Sequence, residues 1–331
     1  MSLQTLPAAD PRFHFSDYQS LLRNGQRIGF CRTIPNDRKY HLDSPGARMR
    51  FRCNAGKILV DLLYRERIHP QRSQNSIGTW LVDGKNRDEW KFERSKRDGC
   101  GNEPVTVRLP ADGEMHTYEL ILPYGDIVEL HSVSVNSESE FEAPPPRPPV
   151  RCVFFGDSIT QGFCASRIDR TFPFLVGELL DYEVINLGIA GIGLNPGSAK
   201  VLGGIPMDRM VVEIGANDWK DGMLPEEFRK NTDKFLHDFR SFQPETPVWW
   251  ITPPWISPKW KLKTMRYELD LYRDIIREEV EKRRDPNLHV IDGLELIDHD
   301  TQFYDQVPVH PVDAGYEQMA ERLALHLAST D

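Results

Sequence analysis

Cysteine is scarce in this sequence and follows no paired pattern. The chain has five cysteines, Cys31, Cys53, Cys100, Cys152 and Cys164, and no two of them have C-x-x-C spacing. An odd number of cysteines without close spacing predicts neither a disulfide framework nor a zinc site. The sequence also has no Asn-x-Ser/Thr glycosylation sequon. These absences favour buried, reduced thiols and a cytoplasmic protein.

Long apolar runs and an excess of basic residues are missing as well. No segment approaches the ~20 apolar residues that a helix needs to cross a bilayer. The N-terminus, MSLQTLPAADPRFHF, lacks the basic start and apolar core of a signal peptide. Lysine and arginine number 41 against 50 acidic residues, which gives a net charge of −9. We therefore expect neither a membrane partner nor a nucleic-acid partner.

A proline-rich stretch divides the chain. The length of 331 residues suggests two domains, and EAPPPRPPV, residues 142–150, places five prolines within six positions. Such a run favours an extended, stiff connector. The sequence predicts a first domain at 10–142, a linker at 143–150 and a second domain at 151–330.

The segment before the linker has the pattern of an all-β domain. Short stretches alternate apolar and polar residues, as in 47–53, and turn signals such as Asp83-Gly84 and Asp112-Gly113 separate them. Many short strands at even spacing predict a β-sandwich of the jelly-roll kind. The predicted strands are 47–53, 58–64, 79–82, 105–109, 118–122 and 127–135.

The segment after the linker alternates apolar strands with amphipathic helices. Short, largely apolar strands are typical of a parallel sheet that is covered on both faces. The alternation predicts an α/β fold with a doubly wound parallel five-stranded sheet. The predicted strands are 153–155, 184–187, 210–214, 248–252 and 289–291, and the predicted helices are 225–242, 266–282 and 313–327.

Polar residues follow several of these strands, and ligands bind at the carboxyl edge of such sheets. Ser158 follows the first strand, a glycine-rich turn ending at Gly193 the second, Asn217 the third, and His310 precedes the last helix. Individually each has a structural alternative: a helix cap for Ser158, tight turns for the glycines and Asn217, and a structural role for His310. Together they are the nucleophile, oxyanion donors and base of acyl transfer. The glycines read G-x-x-G-x-G rather than G-x-G-x-x-G, so we expect no dinucleotide and no other cofactor.

These blocks resemble the SGNH (GDSL) hydrolases. The resemblance covers residues 150–330 and rests on Gly156-Asp157-Ser158-Ile159, Gly191, Gly215-Ala216-Asn217-Asp218 and His310-Pro311, in that order. It implies a flavodoxin-like SGNH fold, with Ser158 as nucleophile and His310 as base. It further implies that the backbone amides of Ser158 and Gly191 and the side chain of Asn217 form the oxyanion hole. The two-domain plan is also similar to the acetyl esterases of carbohydrate esterase family two.

One position departs from the family pattern. The family usually has aspartate three residues before the histidine, but this chain has Val307 there, and Asp305 lies five residues before His310 with Pro308 between. Either two inserted residues let Asp305 swing back as a third catalytic member, or a backbone carbonyl orients the imidazole of a Ser-His dyad. The family-two esterases that this chain resembles have such dyads, which is the second alternative. The sequence leaves both alternatives open.

Substrate contacts are less clearly marked. Asp157, Asp218 and Trp219 flank the predicted site, and further tryptophans lie near the fourth strand: Trp249, Trp250, Trp255 and Trp260. Aromatic surfaces suit sugar rings and acyl chains alike, and no long apolar lid is evident. The resemblance implies an esterase acting on short acyl groups, with acetyl esters of a carbohydrate or small molecule as the expected substrates. An acyltransferase or thioesterase, or a carbohydrate-binding protein with an inactive hydrolase domain, remain alternatives, and the oligomeric state is open.

Overall fold

The structure is a computed structural model, which describes residues 2–35, 43, 45–67, 77–91, 103–306 and 309–328. The chain divides into two compact units. The first comprises Met1–Arg32, Arg38–Arg147 and Arg167–Asp169, and the second comprises Thr33–Asp37, Pro148–Ser166 and Arg170–Asp331.

The first unit contains two antiparallel sheets. One has the strand order β3-β4-β11-β6-β9 with β1 added to β11, and the other has the order β12-β5-β10-β7-β8 with β2 added to β5. The strands are β1 (Leu3–Pro7), β2 (His14–Ser16), β3 (Ser20–Asn24), β4 (Arg27–Cys31), β5 (Arg48–Cys53), β6 (Ile58–Arg67), β7 (Ile77–Val82), β8 (Asn86–Lys91), β9 (Glu103–Leu109), β10 (His116–Ile121), β11 (Asp126–Asn136) and β12 (Phe141–Glu142).

Alternation along the strands builds the core of this unit. Met49 and Phe51 of β5 are buried, and Phe51 pairs with Tyr118 of β10, with their rings stacked 5.4 Å apart. Val60 of β6 and Val133 of β11, from the other sheet, are buried in the same apolar cluster. The predicted antiparallel β-sandwich is therefore confirmed, while its jelly-roll topology stays a prediction.

The second unit is built on a parallel sheet with the order β14-β13-β15-β16-β17. Its strands are β13 (Val150–Gly156), β14 (Tyr182–Gly188), β15 (Arg209–Glu213), β16 (Val248–Ile251) and β17 (Leu288–Ile291). Its helices are α1 (Ser158–Gln161), α2 (Phe172–Leu180), α3 (Ser198–Gly203), α4 (Ala216–Lys220), α5 (Pro225–Phe242), α6 (Leu269–Glu281) and α7 (Asp313–Ala328). The predicted α/β class with five parallel strands is confirmed.

The strand order explains where a site can form. The chain passes from β13 to β14 on one side and then returns to β15 on the other side of β13. The connections on either side of β13 therefore diverge at its carboxyl end, which opens the crevice in which such sheets bind ligands. Helices cover the strands through apolar stripes, as where Phe235 of α5 stacks on Phe155 of β13 at 5.9 Å.

No helix in the described part of the chain is both long enough and apolar enough to cross a membrane.

Candidate active site

Ser158 follows β13 as the first residue of α1. The cap of this helix is Asp157, whose Oδ1 accepts a hydrogen bond from the amide of Ile159 over 2.9 Å. The capping role considered for Ser158 therefore belongs to its neighbour. A side chain at Gly156 would meet Oγ1 of Thr160 at 2.1 Å, so the tight turn that presents Ser158 requires glycine there.

The Ser158 hydroxyl is paired with the predicted base. Its Oγ lies 2.8 Å from Nε2 of His310, although the two residues are 152 positions apart in sequence. The ring of Phe163 packs against the imidazole with centroids 4.8 Å apart, and the hydroxyl of Tyr316 donates to the Phe163 carbonyl over 2.8 Å. Helix α7 thus holds the aromatic ring that supports the imidazole.

The segment before His310 doubles back on itself. The Asp305 amide donates to the His310 carbonyl over 2.9 Å, and Tyr304 forms an antiparallel bridge with Pro311. Cys164 lies with its Sγ 3.5 Å from Oδ2 of Asp305. The structure therefore brings Asp305 beside His310 through the main chain. Val307 and its neighbour at position 308 lie outside the described residues, and the choice between triad and dyad stays a prediction.

Asn217, in the first turn of α4, is tied to the serine turn. Its Nδ2 donates to Oδ2 of Asp157 over 2.9 Å. An amide nitrogen carries two hydrogens, so this bond fixes the side chain and leaves the second hydrogen for another acceptor. Because Asp157 precedes Ser158, the Asn217 amide is anchored one residue from the predicted nucleophile.

Gly191 lies in the turn after β14 with φ of +76°, which suits glycine. The turn is fastened to α1, since the amide of Ala190 donates to Oε1 of Gln161 over 2.9 Å. The Gly191 amide hydrogen-bonds to none of the described residues. The Ser158 amide, at the start of α1, likewise precedes the first amide that a helix can satisfy internally.

Asp157 and Asp218 are each only 2% exposed. Asp218 accepts the amide of Leu194 with both oxygens, over 2.9 and 3.1 Å, and so anchors the turn that contains Gly191. Burial raises the pKa of Asp218 to about 6 and that of Asp157 to about 6. These contacts make both carboxylates supports of the predicted oxyanion donors, and their role as substrate contacts stays untested.

A cavity of about 500 Å³ lies in the same unit, and its lining includes neither Ser158 nor His310. Trp219 forms part of its wall, and its Nε1 donates to the Tyr267 carbonyl over 2.7 Å. Trp255 lines it too and packs against Tyr304, next to Asp305, with ring centroids 5.2 Å apart. Further lining residues are Trp260, Lys261, Glu268, Asp270, Arg273 and His299. Trp249 and Trp250, by contrast, are buried in the core.

Some residues around the site were not singled out from the sequence. Phe163 and Cys164 reach His310 and Asp305 only through tertiary packing, for which the sequence holds no local signal. Glu213 does have a local signal in the sequence. It is a carboxylate at the end of the apolar strand β15, and a buried carboxylate needs a hydrogen-bonding partner.

A hydroxyl bonded to an imidazole, flanked by amide donors, can carry out nucleophilic acyl transfer. The comparison with known families agrees with this chemistry, since residues 154–318 match the GDSL-like Lipase/Acylhydrolase family. The chain carries a GDSL/SGNH hydrolase domain. The site residues predicted from the sequence, Ser158, Gly191, Asn217 and His310, all lie within the matched segment.

Solved structures resemble the whole chain in fold. A salicylyl-acyltransferase, SsfX3, from a tetracycline biosynthetic pathway superimposes with a TM-score of 0.83 at 21% identity, over 99% of this chain and 97% of its own. A family two carbohydrate esterase from Cellvibrio japonicus gives a TM-score of 0.73 at 15% identity, over 99% and 98%. An acetyl xylan esterase, Est2A, from Butyrivibrio proteoclasticus gives 0.65 at 12%, over 100% and 99%. At these identities the likeness shows the fold alone. No curated protein sequence matches the chain.

Proposed function

We propose that this protein is a serine esterase that hydrolyses short-chain esters, acetyl esters of carbohydrates above all, through an acyl-enzyme on Ser158. The observation that carries the proposal is the 2.8 Å contact between Oγ of Ser158 and Nε2 of His310. A hydroxyl is a weak nucleophile at neutral pH unless an adjacent base takes its proton as it attacks. A contact of this length is what proton transfer from Ser158 to His310 requires, and it supports the proposal.

In the first half-reaction Oγ attacks the ester carbonyl carbon while Nε2 of His310 takes the hydroxyl proton. Nε2 must be unprotonated to do so, which places the ring hydrogen on Nδ1. The carbonyl oxygen becomes an oxyanion, and the amides of Ser158 and Gly191 and the free hydrogen of Asn217 stabilise it. Collapse of this intermediate breaks the bond to the alcohol, which leaves with the proton from His310.

In the second half-reaction a water molecule repeats the sequence. His310 takes one water proton, the hydroxide oxygen bonds to the acyl carbon, and collapse releases the carboxylic acid and restores the Ser158 hydroxyl. Each oxyanion donor is expected to lower the free-energy barrier by ~3 kcal/mol. Asp157 and Asp218 contribute indirectly in this scheme, because they hold Asn217 and the Gly191 turn.

The aromatic cavity supports a ring-shaped alcohol as the other half of the substrate. Trp255 and Trp260 are half-buried, so part of each ring faces solvent or ligand, and Lys261 and Glu268 supply polar groups beside them. Apolar ring faces next to charged hydrogen-bonding groups suit a sugar. The family two carbohydrate esterase and the acetyl xylan esterase with a similar fold act on such substrates by name.

Acyl transfer to an alcohol other than water is the second candidate. The fold similarity to a salicylyl-acyltransferase favours it, and the chemistry differs only in the second half-reaction, where the acceptor hydroxyl replaces water. Product analysis distinguishes the two: hydrolysis yields free acid in the presence of acceptor alcohols, whereas transfer yields a new ester.

The deciding experiment is a panel of acetylated sugars and p-nitrophenyl esters of increasing chain length, assayed with wild type and Ser158→Ala. We expect wild type to prefer acetyl esters and Ser158→Ala to lose turnover while it keeps its circular dichroism spectrum. Ser166→Ala is a matched control, since the Ser166 hydroxyl bonds only to Asp313 among the described residues. A Ser158→Ala protein with wild-type rates would refute the nucleophile, and an inert wild type would favour a carbohydrate-binding protein.

A further inference from the structure

Glu213 is a buried carboxyl group that the proposed mechanism does not use. It ends β15 and is 1% exposed. Its Oε2 accepts a hydrogen bond from Oγ1 of Thr160 over 3.0 Å, whereas its buried Oε1 receives none from the described residues. The Asp157 amide donates to the Glu213 carbonyl over 3.2 Å, so the two residues are also joined through the main chain.

The carboxyl groups of Glu213 and Asp157 are close enough that each changes the pKa of the other. Two ionised carboxylates have no hydrogen to share and repel each other strongly when buried. The oxygens of Asp157 already receive hydrogen bonds from the Ile159 amide and from Asn217. A further hydrogen bond between the two groups therefore requires a proton, and Oε1 of Glu213 is the atom with no other donor.

We propose that Glu213 keeps a proton in the working enzyme and donates it to Asp157, and that this hydrogen bond holds Asp157 in the position that orients Asn217. Glu213 is then a positioning residue that acts on the oxyanion hole through Asp157. This inference deepens the proposed function and rests on it for its kinetic part, while the protonation itself does not depend on turnover.

The surrounding charges are consistent with this assignment. Burial, followed by the charge of Asp157, raises the pKa of Glu213 well above its usual value. Burial raises the pKa of Asp157 to about 6, and the charge of Lys220, at the end of α4, acts in the opposite direction and favours the ionised form there. Burial raises the pKa of Asp218 as well, and the charge of Asp157 adds to this shift. The groups that act on the pair of Glu213 and Asp157 are thus Thr160 of α1 and Asp218 and Lys220 of α4.

The proposal makes opposite predictions for two substitutions. Glu213→Gln keeps a donor for Asp157 and an acceptor for Thr160, so kcat on p-nitrophenyl acetate at pH 7 should stay within about threefold of wild type. Glu213→Leu removes the donor, so kcat should fall about tenfold or more while KM changes little. Its circular dichroism spectrum at the assay temperature should match wild type, so that the fall in kcat does not reflect a loss of folded protein.

The pH profile gives a second kinetic readout. In wild type, kcat should decline at alkaline pH as the pair loses its proton and two adjacent charges displace Asp157. In Glu213→Gln this alkaline decline should be absent, because glutamine does not titrate.

The closing experiment detects the proton directly. Infrared spectra at pH 8 should show the band of a protonated carboxylic acid in wild type and in Ser158→Ala. The band should be missing from Glu213→Gln, so it should appear in the difference spectrum between wild type and this variant. Glu183→Gln is the matched control: Glu183 is buried on β14 but pairs with Arg151 at 3.2 Å, so its replacement should leave the band.

The outcomes separate the two ideas. A band that persists in Glu213→Gln, or an equal loss of kcat in Glu213→Gln and Glu213→Leu, overturns the positioning role. A wild type without esterase activity overturns the proposed function, and the infrared comparison then still decides whether Glu213 holds the proton.

Discussion

The side-chain amide of Asn217 donates to the carboxylate of Asp157 over 2.9 Å. This bond links the turn after β15 to the residue that precedes Ser158. The bond fixes one hydrogen of the amide and leaves the other for substrate. Asp157 is at the same time the cap of the helix that begins with Ser158. A single buried carboxylate therefore sets the position of the proposed nucleophile and of one proposed oxyanion donor.

We expect Asn217→Ala to lower kcat by about 10²–10³ on p-nitrophenyl acetate, because one preorganised oxyanion donor is lost. KM should change little, since the donor acts mainly on the transition state. Initial-rate kinetics measure both. Asn195→Ala, at an exposed position that caps only its own turn, is the matched control and should keep wild-type kinetics. A decrease in kcat of tenfold or less for Asn217→Ala would show that Asn217 is not an oxyanion donor.

Asp305→Asn tests the third member of the site. If the carboxylate orients His310, kcat should fall by about two orders of magnitude or more, as in enzymes built around a triad. We expect this loss, because the main chain already pairs Asp305 with His310. Asp300→Asn is the control, since asparagine serves equally well as the cap of the short turn at Thr301–Phe303. A wild-type kcat for Asp305→Asn would establish a Ser-His dyad.

The fold was predictable from the sequence where the periodic signal was strong. Helix α5 spans Pro225–Phe242, as predicted, because Phe228, Phe235 and Phe239 repeat at helical spacing and all are buried. The five strands of the parallel sheet were predicted from a different signal, their short and largely apolar runs. Short elements such as α3, at Ser198–Gly203, and the largely exposed strand β3, at Ser20–Asn24, have too few buried residues to produce a pattern.

The site was predictable only in part, and the reason is geometric. Ser158 and Asn217 closely follow β13 and β15, and His310 directly precedes α7, so the fold class itself predicts them on one edge. The contact of Phe163 with His310 joins parts of the chain that no periodicity relates. The return of Asp305 toward His310 depends on a main-chain pairing between Tyr304 and Pro311 that spacing alone did not reveal.

The aromatic cavity makes a prediction about substrate size. Trp260→Ala should raise KM for acetylated oligosaccharides about tenfold and leave p-nitrophenyl acetate nearly unaffected, because loss of a stacking ring costs ~1–2 kcal/mol of binding. Trp260 is half-buried and packs against Trp219 at 6.3 Å. Phe242→Ala, which removes an exposed ring at the end of α5, is the control. An equal change in KM for both substrates would show that the sugar does not bind at Trp260.

The buried carboxylate of Asp218 predicts how stability depends on pH. Burial raises its pKa from 3.8 to about 6. The folded protein therefore holds this proton more tightly than the unfolded chain, so the stability it contributes is present below pH ~4 and is lost as pH rises through about 6. Asp218→Asn removes the titration and keeps an acceptor for Leu194.

The difference in unfolding free energy between Asp218→Asn and wild type should then grow in favour of the variant from pH 4 to 7, by up to about 3 kcal/mol. Urea denaturation followed by tryptophan fluorescence measures it, because Trp219, Trp249 and Trp250 report on the unit that contains Asp218. Asp181→Asn, at the exposed end of α2, is the control and should give a curve parallel to wild type. A curve for Asp218→Asn that is also parallel would show that Asp218 titrates alike in the folded and unfolded chain, and that its burial is offset by the Leu194 hydrogen bonds.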